Sequence, residues 1–598
     1  MLAACSCSPA ARPALARLAR THQHRLAHSH SHPHPHPHDP RWPGWRPTVG
    51  LELHVQLTGN PKLLSTETAT YDASPNTHVA PFDASLPGAL PVLHPPAVRL
   101  ALLACLAFDA RVNPRSTFDR KHYFYPDLTQ GFQVTQRYNP LAKDGVVRVP
   151  RPPMPRARSK GKGKQALAED DDEYFEVHLE QIQLEQDTAK SSHDPHLDPA
   201  GGTLVDLNRA GAALVEIVTR PDMRSPEEAA AFVKALQSAL RHVGASAANM
   251  DKGELRCDVN VSVARLGPDG RETGERGTRC EVKNLNGVRF IAAAIESEIH
   301  RQIALLSSSQ PVPQSTRGFN ALTSSTFHLR SKESSPDYRY MPDPELGALV
   351  VDEQTLDALR RDMPELPDDA RRRLCREYGL GKREAGVLVA LGEQREEGTG
   401  TAADGGEGGG GGGEGEAAEP GLGVRWFEDL ARGRDAKTAA NWLLHTYLGL
   451  LSRASLSLAR SPLSPADLGA LVDAVAAKRL TGTEAKTLLG EFVARPAAQR
   501  DVEAFRAQLA ERLAAAPAPS SAESGAGGGA EAAAEAALAA LVDDLVASHP
   551  DEVAKIRAGN AKVVQRLVGE AMKRSRGKAD AKRVGDEIRR RLLGGEGK

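Results

Sequence analysis

The strongest constraint on the fold is the stretch from Val49 to Leu57, in which apolar and polar side chains alternate without interruption. Because successive side chains of a strand point to opposite faces, this alternation predicts a half-buried β-strand. The polar face of the strand carries Glu52, His54 and Gln56. A carboxylate and an imidazole two positions apart can bind one metal ion together, although an ordinary solvated strand face explains the same pair.

Later segments repeat this design, and together they predict a shared cleft. A strand over residues 174–184 leads into Glu185 and Asp187, which period-two spacing places on one face. A strand over residues 255–263 alternates in the same way. A charged side chain in a buried strand is costly unless it is paired or bound to a metal, and for Asp206, Asn208 and Glu216 the alternative is that Arg209 satisfies one of them. The remaining polar residues of these strands and their neighbours are Asp206, Asn208, Glu216, Arg256, Asp258, Asn260, Ser262, Arg279, Glu281 and Lys283.

Aromatic and basic side chains are interleaved in residues 118–128, and residues 330–343 repeat the mixture. Such interleaving suits stacking on a base or ribose while phosphate charge is neutralised. The alternative is an aromatic corner closed by a surface salt bridge. The side chains concerned are Arg120, Lys121, Tyr123, Tyr125, Arg339 and Tyr340.

Helices are predicted between and after the strands. Ser225, Pro226 and Glu228 occupy the N-cap, first and third positions of a helix that Gly244 ends. A second helix is predicted from Asn286 to about Leu306. Beyond Val351 the chain becomes rich in Ala, Leu and Arg, and helices are predicted over residues 426–451 and 465–492.

The first 38 residues contain no Asp or Glu but carry Arg12, Arg17, Arg20 and Arg25. This composition is typical of an organellar transit peptide, with the mitochondrial matrix our first choice and the plastid our second. The His-Pro repeat over residues 30–38 is interpreted as a disordered spacer, and metal binding is the alternative.

The composition of the chain limits the kinds of binding surface, metal site and membrane segment that it can contain. The formal net charge is -1, so any nucleic-acid surface must be local. None of the six cysteines forms a CxxC pair, so neither a zinc knuckle nor a disulfide framework is indicated. No apolar run approaches the roughly 18 residues that span a bilayer, and we expect no membrane insertion.

The sequence divides into predicted domains at shifts of composition. A transit peptide and spacer (1–47) precede a catalytic domain (48–350), a helical domain (351–513), a low-complexity linker (514–537) and a tail domain (538–598). A charged insertion (150–173) interrupts the catalytic domain, and a glycine-rich insertion (398–424) interrupts the helical domain.

The tail is loaded with basic side chains, which suits a polyanion such as RNA. A basic, solvated helix pair is the alternative. The basic residues are Lys562, Arg566, Lys573, Arg574, Arg576, Lys578, Lys582, Arg583, Arg589, Arg590 and Arg591.

In these motifs the chain resembles the B subunits of the glutamyl-tRNA(Gln) amidotransferases, the GatB family, in their organellar form. The resemblance covers almost everything from Val49 to Leu593 apart from the insertions. It implies an α+β fold, in which a cradle-like domain of mainly antiparallel sheet and packed helices precedes an all-α domain and a small all-α tail. The most specific stretches are residues 49–57, 118–128, 204–218, 255–263, 281–286 and 330–344.

The resemblance implies a ligase that forms a carbon–nitrogen bond with glutamine as amido donor. ATP phosphorylates the side-chain carboxyl of Glu-tRNA(Gln), and ammonia then displaces the phosphate to give Gln-tRNA(Gln) in organellar translation. Phosphoryl transfer needs positioning and neutralisation of negative charge, and carboxylates with one imidazole suit Mg²⁺. The sequence has no GxxxxGK[ST] run, so ATP is not expected to bind as in P-loop enzymes.

The resemblance also implies roles for individual residues. Glu52, His54, Glu185 and Glu216 would form the catalytic and metal site, with Arg256 and Lys283 as further catalytic residues. Asp187, Asp206 and Asn208 are weaker candidates as supporting groups or ligands. The residues assigned to nucleotide binding are Arg120, Lys121, Tyr123, Tyr125, Asp258, Asn260, Arg339 and Tyr340. The residues assigned to tRNA binding are Lys562, Arg566, Lys573, Arg574, Arg576 and Lys578.

The chain shows no glutaminase-like cysteine or Ser-Lys arrangement, so the resemblance implies a separate amidase, the A-type partner of the complex. A small third component, C-like or fungal F-like, would hold the pair together. The chain departs from the family in two respects: Gln186 replaces a glutamate usual in bacterial relatives, and the four-cysteine zinc site of some relatives is absent. The rival hypotheses are a non-catalytic scaffold that binds tRNA and an ATP-dependent ligase acting on a free amino acid.

Overall fold

The structure, a computed structural model, describes residues 39–70, 73–125, 127–152, 174–193, 196, 202–331, 338–392, 419, 421–515, 528–557, 563–575 and 581–593. Residues 1–38 of the predicted transit peptide and spacer, and most of both predicted insertions, lie outside the described residues, whereas a strand already begins at Trp45, inside the predicted spacer. The fold combines a mixed sheet in the N-terminal part with helices in the C-terminal part, which confirms the α+β class.

The N-terminal part is built on one large sheet of ten strands. Their order is β15-β14-β13-β11-β1-β10-β7-β6-β2, and β12 pairs with β11. The strands of the chain are β1 (Trp45–Gln56), β2 (Arg111–Val112), β3 (Arg115–Ser116), β4 (Asp119–His122), β5 (Phe132–Thr135), β6 (Ala142–Pro150), β7 (Tyr174–Gln186), β8 (Lys190–Ser192), β9 (Leu204–Asp206), β10 (Ala213–Thr219), β11 (Leu255–Leu266), β12 (Glu272–Arg276), β13 (Cys280–Leu285), β14 (Ser315–Asn320), β15 (Ser325–Ser331), β16 (Met341–Pro342) and β17 (Leu349–Val350).

The strand pairings of the large sheet are antiparallel, except that β13 and β14 run parallel. A parallel pair needs a crossover connection, and a helix provides it here. Three small sheets, β16-β4-β5, β17-β3 and β8-β9, lie beside the large one.

Strand β1 lies between β10 and β11, at the centre of the sheet. As its alternation predicts, Val49, Leu51, Leu53 and Val55 are buried. Helices α1 (Pro95–Ala107), α2 (Pro226–His242) and α3 (Val288–Ser307) contribute buried residues to the same core. Because the helices pack against the apolar face of the sheet, the polar side chains of β1 lie on its opposite face.

The predicted start of α2 is confirmed in detail. The Ser225 hydroxyl accepts a hydrogen bond from the backbone N–H of Glu228 at 3.1 Å. The apolar stripe of this helix is buried: Ala229, Phe232, Val233, Leu236 and Leu240.

Two further buried clusters lie among the helices that follow, one within residues 370–509 and one within residues 542–592. Helix α4 (Glu353–Asp362) instead adds Leu356 and Leu359 to the N-terminal core. The remaining helices are α5 (Pro367–Tyr378), α6 (Lys382–Ala390), α7 (Leu422–Ala431), α8 (Ala436–Asn441), α9 (Leu448–Arg453), α10 (Pro465–Ala476), α11 (Gly482–Ala494), α12 (Val502–Ala515), α13 (Gly528–Ser548), α14 (Pro550–Arg557), α15 (Val564–Arg574) and α16 (Ala581–Leu593).

Two predicted helices are wrong as single elements. The helix predicted over residues 426–451 is broken between α7 and α8, where Gly433 has a positive φ and the Asp435 side chain caps α8. A π-helical turn, Trp442–Tyr447, then joins α8 to α9. The helix predicted over residues 465–492 is likewise two helices, and Thr481 caps the second.

Helix α13 begins at Gly528, inside the segment interpreted from its composition as a linker. Alanine is the best helix former, which explains how a low-complexity run joins the helix. Within the described residues, no helix is both long enough and apolar enough to cross a membrane.

Candidate active site

The polar face of the sheet gathers acidic side chains around His54. In the antiparallel pairings of β1, His54 lies opposite Glu216 on one side and Arg256 on the other, while Glu52 lies opposite Asp258. Residues directly opposite in a pair share a face and have neighbouring Cβ atoms. Strand β7 pairs with β10 on the side away from β1, and it contributes Glu185 to the cluster.

The distances show one continuous cluster. His54 Nδ1 lies 2.6 Å from Glu185 Oε1, and His54 Nε2 lies 3.6 Å from Glu52 Oε1. Possible ligand atoms of Glu52, His54 and Asp258 lie within 4.8 Å of one another, as do those of His54, Glu185 and Glu216. The structure therefore brings together the four predicted metal-site residues and adds Asp258, which was assigned to nucleotide binding.

Two glutamines that the sequence reasoning missed orient the carboxylates. Gln183 Nε2 donates to Glu216 Oε2 at 2.5 Å, and also to the Thr135 hydroxyl at 3.2 Å. Gln133 Nε2 donates to Glu185 Oε2 at 3.2 Å and to the Gln186 carbonyl at 2.8 Å. Gln183 lies in the strand predicted over residues 174–184, so period-two spacing from Glu185 was the available signal for it.

Crowding of negative charge changes the protonation of the cluster. Burial and the neighbouring Glu185 raise the pKa of Glu216 to about 8. Burial opposes charge on His54, but Glu185 overrides it and raises the pKa of His54 to about 9. Burial likewise opposes ionisation of Glu185, yet His54 lowers the pKa of that carboxyl. Without a metal, the cluster therefore retains protons at neutral pH that a divalent cation would displace.

Two lysines adjoin the cluster. Lys283 forms ion pairs with Asp258 and, at 3.3 Å, with Glu281. Lys121 approaches from β4. Burial opposes its charge, but nearby tyrosines and the carboxyls of Glu185 and Glu216 raise the pKa of Lys121 above its ordinary value.

The arginines that were assigned to the site form ion pairs with carboxylates outside the cluster. Arg256 Nη2 lies 2.5 Å from Asp187 Oδ2, and Arg209 Nη2 lies 2.9 Å from the same oxygen. Asp187 is therefore satisfied by two arginines. Arg120 is paired with Asp343 at 2.7 Å, and also with Glu345.

Asp206 does not join the metal-ligand groups found within the described residues. Asp206 Oδ1 accepts from the backbone N–H of Asn76 at 3.3 Å, and Asn208 Oδ1 accepts from that of His78 at 2.8 Å. Both side chains thus fix the loop after β1. Asn260 is half-buried on the polar face and lies opposite Glu281.

The predicted aromatic residues form a band next to the cluster. The Tyr123 hydroxyl donates to Gln133 Oε1 at 3.2 Å, which connects the band to Glu185. The ring centroids of Tyr123 and Tyr125 lie 6.1 Å apart. Tyr340 is half-buried and Arg339 is exposed. Residues 332–337, part of the second predicted segment, lie outside the described residues.

The predicted tRNA-binding residues of the tail are only partly described, since Lys562, Arg576 and Lys578 lie outside the described residues. Lys573 is exposed in the last turn of α15. Arg574 pairs with Asp544 of α13 at 2.5 Å, and Arg566 pairs with Glu552 of α14 at 3.3 Å. These ion pairs reduce the positive charge that the tail offers to a polyanion.

The cluster fits a divalent cation by its donor set. Carboxylate oxygens are the ligands that Mg²⁺ prefers, and a single neutral imidazole is compatible with such a site. The raised pKa of Glu216 points the same way, since adjacent carboxylates need either protons or a cation. Glu52, His54 and Asp258 form one possible set of ligands for it, and His54, Glu185 and Glu216 form the other.

Comparisons with family models and relatives identify the family of the chain. Residues 47–357 match the model of the GatB/GatE catalytic domain, and residues 425–509 and 528–592 match the model of the GatB domain. The chain belongs to the GatB family. The family resemblance inferred from the motifs is thereby confirmed.

Similar members of the family are found in fungi and bacteria. The mitochondrial B subunit of the glutamyl-tRNA(Gln) amidotransferase from Mycosarcoma maydis is 40% identical over 92% of this chain and 86% of its own length. The corresponding protein of Cryptococcus neoformans is 41% identical over 91% and 92%. The B subunit of the aspartyl/glutamyl-tRNA(Asn/Gln) amidotransferase from Rhizobium johnstonii is 38% identical over 92% and 95%. The fungal names support the predicted mitochondrial localisation.

Proposed function

We propose that this chain is the B subunit of a mitochondrial glutamyl-tRNA(Gln) amidotransferase and carries its ATP-dependent step. The side-chain carboxyl of Glu-tRNA(Gln) attacks the γ-phosphorus of ATP, giving an acyl phosphate and ADP. Ammonia then attacks the acyl carbon, and inorganic phosphate leaves as the amide of Gln-tRNA(Gln) forms. The overall reaction is that of a carbon–nitrogen ligase with glutamine as amido donor.

The observation that carries this proposal is the convergence of Glu52, His54, Glu185 and Glu216 from three strands, with Asp258 from a fourth. A scaffold that only binds tRNA needs no such cluster. Burying Glu185 and Glu216 side by side is unfavourable unless a ligand compensates for their charge, and active sites are where such perturbed groups accumulate.

Mg²⁺ held by this cluster would neutralise the negative charge that spreads over the transferring phosphoryl group. The residues of the chain supply position. Gln183 and Gln133 fix the orientation of Glu216 and Glu185 through their amide N–H groups. Lys121 and Lys283 place positive charge on two sides of the cluster, where nucleotide phosphates can be bound.

The source of ammonia is a partner. Family members are named as subunits of an amidotransferase, so the chain acts within a complex of several subunits. We propose that a separate A-type amidase supplies the ammonia and that the third component is a small C-like or fungal F-like protein. The basic tail, including Lys573, would contribute to binding of Glu-tRNA(Gln).

The experiment is to purify the complex and follow conversion of Glu-tRNA(Gln) to Gln-tRNA(Gln) with ATP, Mg²⁺ and glutamine. His54→Ala should reduce product formation by at least about 100-fold, because each interaction lost at a charge-stabilising site costs about that factor. Glutamine hydrolysis by the amidase serves as the internal control for intact assembly. Glu180→Gln, at an exposed position of β7, is the matched control.

The alternative, a non-catalytic scaffold, makes a different prediction. If the chain only holds tRNA, the His54→Ala complex should bind tRNA and form product at the rate of the unaltered complex. Normal product formation by that variant, with normal tRNA affinity, would therefore exclude the catalytic assignment.

A further inference from the structure

The tail domain carries two adjacent carboxylates that contact both of its basic helices, α15 and α16. Asp543 and Asp544 lie in the second half of α13. Asp544 Oδ2 is 2.5 Å from Nη1 of Arg574, in the last turn of α15. Asp543 Oδ1 forms an ion pair with Nη1 of Arg591, in the last turn of α16. One acidic pair therefore occupies a guanidinium group on each basic helix.

These two contacts differ from other ion pairs of the tail. Arg589 and Arg590 each pair with a carboxylate three positions earlier on their own helix, an arrangement that stabilises single helices. Asp543 and Asp544 instead bind arginines of other helices, and those helices already share a buried apolar cluster with α13. Because exposed ion pairs contribute little to stability, the apolar cluster is what holds the helices together.

The acidic pair is more exposed than the arginines that it binds. The side chains of Asp543 and Asp544 are 69% and 67% exposed, whereas those of Arg591 and Arg574 are 24% and 32% exposed. A carboxylate in such contact with water binds a guanidinium weakly. A phosphodiester presents two oxygens to the same planar donor group, which suits phosphate well. A phosphate of RNA can therefore compete with each carboxylate for its arginine.

We propose that Asp543 and Asp544 are an internal competitor of the tRNA backbone, which binds Arg574 and Arg591 in the free chain and is exchanged for phosphates when tRNA binds. This inference rests on the proposed function, in which the tail contributes to binding of Glu-tRNA(Gln). The exchange lowers the affinity of the tail for tRNA. A lower affinity suits a subunit that must release its product after each reaction.

The test is filter binding of Glu-tRNA(Gln) to the complete complex, without ATP and at one fixed salt concentration. Asp543→Asn and Asp544→Asn should each raise the affinity by about 1.5- to 5-fold, which is the strength of an exposed ion pair. Asparagine has nearly the shape of aspartate, so each variant removes the charge with little change in packing. Protection of the α15 and α16 amides from hydrogen exchange shows whether the tail stays folded.

Two comparisons separate the exchange from a general loss of negative charge. Asp551→Asn removes an exposed carboxylate from the first turn of α14, where it favours the helix N-terminus, and it should raise the affinity less than either paired carboxylate does. Asp544→Asn should raise the affinity of the unaltered complex but not that of the Arg574→Gln complex, because the exchange requires this guanidinium.

Unchanged or lower tRNA affinity of both asparagine variants, with their amides still protected, would overturn the proposal. Loss of amide protection would also overturn it, because the carboxylates would then be needed to fold the tail. A complex truncated after Ala515 identifies a different failure. If that complex binds tRNA as tightly as the unaltered one, the tail has no role in tRNA binding and the proposed function of the tail is wrong.

Discussion

Replacing Glu216 with glutamine is expected to stabilise the metal-free protein while weakening its cation site. Burial and Glu185 raise the pKa of Glu216 to about 8 from an ordinary value of 4.5. A carboxyl perturbed in this way makes folding less favourable by about 4 kcal/mol at pH 7.5, because the unfolded chain ionises it freely. Glutamine has nearly the same shape and can still accept the hydrogen bond from Gln183.

The sign of the pH dependence follows from the raised pKa. Below about pH 4.5 the carboxyl is protonated in both states, and the substitution should have little effect. Between about pH 4.5 and 8 the folded state keeps a proton that the unfolded state releases, so the advantage of glutamine should grow and then level off above pH 8. Because Glu216 also favours the charged form of His54, we expect a net gain of about 1–3 kcal/mol, or roughly 2–8 °C in Tm.

The assay is calorimetric melting of the purified complex in EDTA at several pH values from 5 to 9. Glu180→Gln, on the exposed part of the same sheet, should leave Tm unchanged within about 1 °C, the range for surface substitutions. Added Mg²⁺ should raise the Tm of the unaltered complex more than that of Glu216→Gln. A lower Tm for Glu216→Gln, or a gain independent of pH, would refute the reasoning that these carboxylates are electrostatically crowded.

Three further predictions concern other parts of the chain. Lys62 is buried with its ammonium 2.7 Å from Asp83 Oδ2, so Lys62→Met should lower the unfolding free energy by about 3–5 kcal/mol in urea titrations. Adding Asp83→Leu should recover much of the lost stability, because it removes the carboxylate that is left unpaired. Ser225→Ala removes the cap of α2 and should cost about 1 kcal/mol, whereas Ser225→Thr should cost less. Truncation after Ala515 should weaken tRNA binding and reduce its salt dependence in filter-binding assays, while basal ATP hydrolysis persists; unchanged affinity would exclude a role for the tail.

Local patterns in the sequence predicted individual strands and helices better than they predicted which strands pair with each other. The alternation of β1 specified a strand and its two faces, and the cap at Ser225 specified the start of α2. The breaks in the C-terminal helices were missed, although Gly433 and Asp435 are typical end and start signals. Those signals were outweighed by long runs of good helix formers on either side.

The site was predictable as a set of residues but not as a geometry. Glu216 lies in an apolar run, and only the antiparallel register of β10 with β1 brings it opposite His54. Pairing between strands so distant in sequence is not encoded in any local window. Gln183 and Gln133 were missed because neutral amides look like ordinary surface residues until a carboxylate is placed beside them.

Asp187 is separated from the cluster because the strand that carries Glu185 ends before it. Period-two spacing placed Asp187 on the face of Glu185, but β7 ends at Gln186 and the chain turns. The carboxylate then meets Arg209 and Arg256 instead of the cation site. Spacing rules hold only as far as the strand continues.

The central claim is that acidic side chains gathered around His54 from four strands form a binding site for a divalent cation. Its most direct test is Mn²⁺ binding to the purified complex, followed by electron paramagnetic resonance in the absence of nucleotide and tRNA. We predict that Glu185→Gln and His54→Ala each abolish a site that the Glu180→Gln complex retains. If all three variants bind Mn²⁺ with the stoichiometry and affinity of the unaltered complex, the cluster does not hold the cation and the account is wrong.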